Sequence, residues 1–321
     1  MAISTDRRNM MSDISSTLTN LTYYLPIGLV LLALLVGVGI IGVPERATAA
    51  ERIERSLRLD GQQRSYTIYL PDNLANKRDL RVMFVFHPAI GTGKFMEDAT
   101  GFHNLPAAKD FVVVYPDGFM RTWNAGSCCG NAEKRNIDDV AFFQAMMADV
   151  SSMASVRPKA YLTGFSNGAL LVYHLMCKVG DQVAAAAPFA AYLPPKDMRN
   201  CKGGPVPLLH MHGDADPGAP VEGGDTNYLG RLPPARETVE AVARRNGADI
   251  SNPTYVDMPG LGTTCLRYGS DASEAGLCVI PGLGHVWPGM EPRQGRGRGK
   301  FGPARPDLEG SAAVMRFFLQ H

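Results

Sequence analysis

Apolar and polar positions along this chain fall into two textures. Residues 81–87 (RVMFVFH) and 111–115 (FVVVY) are nearly unbroken apolar runs that stop at Pro/Gly-containing segments. Runs of this length read as strands buried on both faces. Residues 159–163, 183–187 and 206–212 read the same way, the second (VAAAA) against the preference of alanine for helix. Residues 56–70 predict two strands around Asp60-Gly61, a hairpin-turn pair. Between the strands the spacing changes. Residues 138–153 open on helix-capping carboxylates and carry Val140, Phe143, Met147 and Val150 at helical spacing. Residues 166–179, 236–245 and 311–320 read as further helices. Apolar strands alternating with helices predict an α/β fold, a mostly parallel sheet with helices on both faces. No internal repeat or long linker interrupts the pattern, so there is no room for a separate binding domain.

The N-terminus stands apart. Leu25 to Val43 is a charge-free run of nineteen residues, preceded by Arg7 and Arg8 and followed by Ala47-Thr48-Ala49. A basic start, an apolar core and an A-x-A exit describe a secretory signal peptide. The run is also about long enough to span a bilayer, so a retained membrane anchor is the alternative. Both readings export the rest of the chain. They make residues 1–50 a leader or anchor and residues 51–321 one domain, secreted or periplasmic. Gly37-Val38-Gly39-Ile40-Ile41-Gly42 matches G-x-G-x-x-G, but it lies inside the apolar run and follows no strand of a βαβ unit, so it is not read as a nucleotide site.

Charge and cysteines narrow the picture. Lys plus Arg number 32 and Asp plus Glu 31, a net charge of +1. That is too weak a field to gather nucleic acid, and the basic stretch at residues 295–300 reads as a solvated loop. Cys128, Cys129, Cys177, Cys201, Cys265 and Cys278 are an even set, suited to an oxidising compartment and to as many as three disulfides. Cys265 and Cys278 flank a turn-rich stretch and are expected to pair. The adjacent Cys128 and Cys129 are expected to bridge to different partners, or only one of them to bridge.

Candidate chemistry begins at Gly164-Phe165-Ser166-Asn167-Gly168, the only G-x-S-x-G in the chain. It follows a predicted strand and opens a predicted helix. Two glycines there allow a sharp turn that lifts a serine hydroxyl above the sheet, with a helix N-terminus behind it. A serine nucleophile needs an imidazole base and a carboxylate to orient it, in the chain order Ser, acid, His. His174, His210, His212, His285 and His321 follow Ser166. His174 lies in the nucleophile's own helix, His210 and His212 on a strand, and His321 at the terminus, where chains fray. His285 sits in a glycine-rich loop that can carry an imidazole over the serine, and is the choice. Asp214 and Asp216, at a strand end, are the two candidate acids. Two imidazoles at His210 and His212 share one side of a strand, but nothing else supplies metal ligands at fixed spacing, and no metal or other cofactor is expected. Gly91-Thr92-Gly93-Lys94 lacks the earlier glycine of a P-loop. Trp123 and Trp287 lie in loops beside the motifs, either as an aromatic wall for an acyl group or as simple packing.

Taken in order, these blocks resemble a known family. They are VVVYPDG (112–118), RTWNAG (121–126) with Cys128-Cys129-Gly130, Asp138-Asp139-Val140, the serine motif, HGDADP (212–217) and GHVWPG (284–289). The chain is similar to the secreted polyhydroxybutyrate depolymerase and feruloyl-esterase type of α/β-hydrolase serine esterase, over about residues 55–320. The resemblance implies an α/β-hydrolase fold and a Ser166–His285–Asp216 triad, the second aspartate of the block being the acid and Asp214 a solvated neighbour. It also implies an oxyanion hole made by the backbone N–H groups of Asn167 and Ala89. Where the family has His-Gly, this chain has His87-Pro88, and proline has no N–H to give. The implied substrates are polyhydroxyalkanoate-type polyester or hydroxycinnamoyl and other short-chain esters, possible polymers among them. The short span from Ser166 to Asp216 leaves no large lid. No obligate protein partner is implied. The rival readings are an oligopeptidase of the same fold and a non-catalytic binding protein that kept it.

Overall fold

The structure, a computed structural model, describes residues 51–126, 128, 130–226, 230–291 and 299–321. The expected leader at 1–50, Cys129 and most of the 295–300 loop lie outside the described residues.

Twelve strands are described. They are β1 (Glu51–Leu59), β2 (Gln62–Leu70), β3 (Leu80–Phe86), β4 (Phe111–Pro116), β5 (Val156–Phe165), β6 (Val183–Phe189), β7 (Leu208–Gly213), β8 (Gly224–Thr226), β9 (Gly230–Leu232), β10 (Thr254–Met258), β11 (Thr263–Tyr268) and β12 (Ala275–Ile280). Ten of them form one sheet in the order β1-β2-β4-β3-β5-β6-β7-β12-β11-β10. From β4 to β12 the neighbours are parallel, and two antiparallel strands extend each edge. The Asp60-Gly61 hairpin forms as predicted, with both residues at positive φ and Leu59 opposite Gln62. The alanine run of β6 is a strand despite its helical propensity. Ala185, Ala186 and Ala187 are fully buried between β5 and β7, and burial in a central strand outweighs a weak local preference.

The helices are α1 (Gly93–Thr100), α2 (Gly130–Lys134), α3 (Asp139–Met153), α4 (Asn167–Val179), α5 (Pro195–Arg199), α6 (Ala235–Arg245) and α7 (Gly310–Gln320). Asp138 caps α3 by accepting the Ala141 N–H, as the sequence suggests. Alternate residues of each central strand feed two cores. Val82, Leu162 and Leu208 meet α3, α4 and α6 on one face. Met83, Tyr161 and Leu209 meet α1 and α7 on the other. This is the α/β-hydrolase arrangement the sequence implied. Among the described residues, only the small β8–β9 hairpin and short turns lie between β7 and α6.

Cys265 and Cys278 pair, as expected, across β11 and β12. Cys177 and Cys201 also pair, tying the end of α4 to the segment before β7. Cys128 is disulfide-bonded as well. His321 is not frayed: its ring packs on Phe317 at 4.7 Å and its Nε2 lies 3.6 Å from a Glu274 carboxylate oxygen.

Candidate active site

Ser166 sits between β5 and α4 with φ 55° and ψ −117°, a conformation that costs a serine about 1–3 kcal/mol. Two close approaches hold it there. A Cβ on Gly164 would lie 2.6 Å from the Gly168 backbone, and one on Gly168 would lie 2.3 Å from the Phe86 carbonyl oxygen. Only glycine at these positions lets α4 start hard against the end of β3. The Ser166 N–H donates to the Phe189 carbonyl and its own carbonyl accepts from Leu170. Its side chain is left half-buried at the carboxyl end of the sheet, ahead of the α4 N-terminus.

Asp216 and His285 come from different loops on the neighbouring strands. Asp216 follows β7 and is buried; its Oδ1 accepts from the N–H groups of Gly218 and Ala219, both at 2.8 Å. Its Oδ2 accepts from His285 Nδ1 at 2.6 Å. That bond puts the hydrogen on Nδ1 and leaves Nε2 as the free base position. The His285 ring packs against Phe165, the residue before Ser166, at 4.8 Å between centroids. The structure therefore brings Asp216 onto His285 and His285 onto the serine turn. Asp214 does not reach the imidazole. It is exposed and accepts from the Gly282 N–H at 2.7 Å, so it steadies the base of the histidine loop.

No family model matches the chain. A protein of Nocardia uniformis subsp. tsuyamanensis named as an esterase, NocK, is 29% identical over 272 residues, which is 76% of this chain and 79% of its own length. Feruloyl esterase B of Piromyces equi is 26% identical over 70% of this chain and 42% of its own, and feruloyl esterase D of Neurospora crassa 25% identical over 69% and 72%. Among solved structures, the acetyl xylan esterase of Aspergillus awamori superposes with a TM-score of 0.54 at 17% identity, covering 73% of this chain and 94% of that one. The chain has the α/β-hydrolase fold, and the relatives it matches in sequence are named as esterases. It spans under half of the Piromyces protein, so what that whole protein does is not transferred.

Of the two readings of Trp123 and Trp287, open aromatic wall or packing, burial favours packing. Trp123 and Trp287 are both fully buried and present no open wall to an acyl group. Trp123 packs on Phe86 and donates from Nε1 to the His87 carbonyl at 2.9 Å; Trp287 packs between Phe102 and Phe189 and donates to the Ser311 hydroxyl. Sequence adjacency to a motif does not say which way a ring turns, and large flat side chains gain most by burial. Both rings brace the loops that carry the site.

Asn167 and Ala89 carry the two backbone N–H groups implied for an oxyanion hole. Asn167 opens α4, where the first N–H groups have no partner within the helix. Its side chain is buried and exchanges two hydrogen bonds with the Trp123 backbone, at 2.8 and 3.1 Å. Ala89 lies exposed in a turn closed by Gly91 N–H to Pro88 carbonyl. The Ile90 N–H goes to the Arg121 carbonyl, and among the described residues no acceptor takes the Ala89 N–H. Pro88 stiffens this turn without occupying the donor position.

His87 is a residue the sequence reading passed over. Its Nε2 accepts from the Gly118 N–H and its Nδ1 donates to the Pro88 carbonyl, each at 2.8 Å. Burial pushes its pKa down to about 4, so the ring is neutral and fixes the turn that holds Ala89. The signal was available: a histidine ending a buried strand has to find partners for both nitrogens.

Proposed function

We propose that this esterase hydrolyses carboxylic esters through Ser166, His285 and Asp216. Ser166 Oγ attacks the ester carbonyl while His285 Nε2 takes its proton. Asp216 holds the imidazole in the tautomer that makes this possible and favours the imidazolium that results. The Asn167 and Ala89 N–H groups receive the oxyanion. The imidazolium returns its proton to the leaving alcohol, and water, activated by the same base, frees the acid from the acyl-enzyme. The observation that carries this reading is the 2.6 Å bond from His285 Nδ1 to Asp216 Oδ2, with His285 packed on the turn that strains Ser166.

The substrate class we propose is short-chain and hydroxycinnamoyl esters, with hydroxyalkanoate polyester as the second reading. The relatives named for feruloyl ester hydrolysis support the first. The small β8–β9 insertion, in place of a large lid, suits a bulky or polymeric ester in either case. Export is part of the same proposal. Disulfides such as Cys177–Cys201 and Cys265–Cys278 suit an oxidising compartment.

Labelling with a fluorophosphonate probe separates a catalyst from a binding protein. Ser166→Ala should abolish labelling and lower turnover of p-nitrophenyl butyrate about a million-fold, as loss of a triad serine does elsewhere. Asp216→Asn should cost about ten-thousand-fold, because the imidazole then takes the wrong tautomer. Asp214→Asn keeps an oxygen for the Gly282 N–H and should lie within a few-fold of the parent. A crippled Asp214→Asn with an active Asp216→Asn would overturn the assignment. Methyl ferulate, polyhydroxybutyrate film and a peptide anilide, run side by side, rank the substrate classes.

A further inference from the structure

Behind Asp216 runs a line of buried polar rings that the ester chemistry does not use. His210 and His212 are two apart on β7, so both imidazoles leave the sheet on the face that Leu208 shares with α4. The Tyr173 hydroxyl, on α4, lies 2.5 Å from His210 Nδ1; His210 Nε2 lies 3.1 Å from His212 Nδ1; His212 Nε2 lies 2.6 Å from the Ala219 carbonyl oxygen. All three side chains are buried. A carbonyl only accepts, so His212 Nε2 carries a hydrogen. Neutral His212 then has only a lone pair at Nδ1, which takes the Nε2–H of His210, and His210 Nδ1 takes the Tyr173 hydroxyl. One carbonyl thus sets the direction of every bond in the line.

That carbonyl belongs to the turn that holds the acid. Ala219 is gripped at its oxygen by His212, the Tyr192 hydroxyl is shared between the Ala219 carbonyl at 3.0 Å and the nearer Pro220 carbonyl, and the Ala219 N–H donates to Asp216 Oδ1. His212 Nε2 is also 3.9 Å from Asp216 Oδ2, the oxygen that accepts from His285.

We propose that His212, backed by His210 and Tyr173, is a positioning residue for Asp216: it locks the 216–219 turn and, by staying neutral, leaves Oδ2 to His285 alone. The proposal rests on the Ser166–His285–Asp216 reading. The titratable groups facing His212 are His210, Tyr192, Asp216 and His285, and Glu222 acts on Tyr192. Burial, opposed by the Ala219 carbonyl and Asp216, pushes His212 down to about 4. A proton there would set a positive charge against the carboxylate oxygen that has to stabilise imidazolium at His285.

The test is kcat and KM for p-nitrophenyl butyrate from pH 5 to 9 on Tyr173→Phe, His212→Gln, His212→Leu and Ser166→Ala, with ¹⁵N NMR of histidine-labelled parent protein. His212→Leu should lower kcat about ten- to a hundred-fold, as a misplaced catalytic group does, leave KM nearly unchanged, and move the acid limb of kcat/KM to lower pH. His212→Gln, whose amide N–H can reach the same carbonyl, should recover most of the loss. Tyr173→Phe, one oxygen removed far from the acid, should move the limb in the same direction by less. NMR should show His212 neutral with Nδ1 unprotonated at pH 7. Parent-like kcat and acid limb in folded Tyr173→Phe and His212→Leu, or a protonated Nδ1, overturns the proposal. If His212→Leu does not fold, Tyr173→Phe and the NMR signature decide. An active Ser166→Ala instead sinks the triad itself, a distinct outcome.

Discussion

Ile90, Met120, Arg121, Ser166 and Ala190 all hold φ between 46° and 63°, and all lie just past the carboxyl ends of β3, β4, β5 and β6. Non-glycine residues in this region are uncommon, and a β-branched one is a genuine outlier. Such strain persists where surrounding structure over-determines the backbone, as at functional sites. Here the Ile90 N–H donates to the Arg121 carbonyl, and the Arg121 guanidinium returns to the Ile90 and Gly91 carbonyls. Ile90 is 71% exposed, so its side chain contributes little burial to offset the strain. Ile90→Asn should therefore raise stability by about 1 kcal/mol, since asparagine tolerates the left-handed region. Guanidinium unfolding checks it; a variant less stable than the parent would show that the side chain carries packing the backbone does not reveal. At this scale the sequence was informative wherever a motif forces geometry. G-x-S-x-G requires the turn at Ser166, and the glycines of the histidine loop let it turn at Gly282 (φ 66°) and pass close against Phe301 at Gly284, which sets His285 over Phe165. The sequence leaves Trp123 and Trp287 open between an aromatic wall and packing, because position along the chain does not say which way a ring turns; both are buried.

Elements were legible where burial on both faces leaves an unbroken apolar run. β3, β4, β5, β7 and the helices α3, α4, α6 and α7 all lie near their expected bounds. β10 and β11 were not foreseen. Their residues are a mixture of exposed, half-buried and buried positions with no clean alternation, because they form the sheet edge and cover only part of the core. α1 was missed because a short helix in a glycine-containing loop carries too few apolar positions to show a period. The packing of elements also sets the site, most sharply where α4 meets β3. Gly168→Ala would drive a methyl group into the Phe86 and His87 carbonyls. The helix has to move away, carrying Ser166 and the Asn167 N–H with it. We expect a loss of about 1–3 kcal/mol, the range for overpacking, together with a fall in turnover of at least a hundred-fold from misplacement of the nucleophile. Unfolding curves and p-nitrophenyl butyrate kinetics on the same sample check both; normal turnover in a destabilised protein would separate the contact from the chemistry.

For the whole molecule, the parallel class of the sheet followed from the alternation of strands and helices, but its order did not. The sequence does not say that β3 lies between β4 and β5, because strand order depends on crossovers that hydrophobic pattern does not encode. Nor does it show how many histidines are sealed inside. His87, His210 and His212 are each fully buried, and burial holds all three below the ordinary imidazole value, His87 and His212 at about 4. In the unfolded chain the same rings titrate near 6.5. Between those values the unfolded state binds more protons than the folded state, so stability rises with pH across that window. It is complete above about 6.5 and is lost as pH falls toward 4. At pH 5 the loss is on the order of 2 kcal/mol for each of His87 and His212, a large share of the margin a domain ordinarily has. Denaturant unfolding at pH 7 and pH 5 measures it. The parent should lose about 4 kcal/mol or more between the two, and His212→Gln, which has no ring to protonate, should lose about 2 kcal/mol less. Equal stability of the parent at both pH values would mean that the buried rings gain a counter-charge on protonation. The neutral line from Tyr173 to Ala219 would then be the first feature of the interior to abandon.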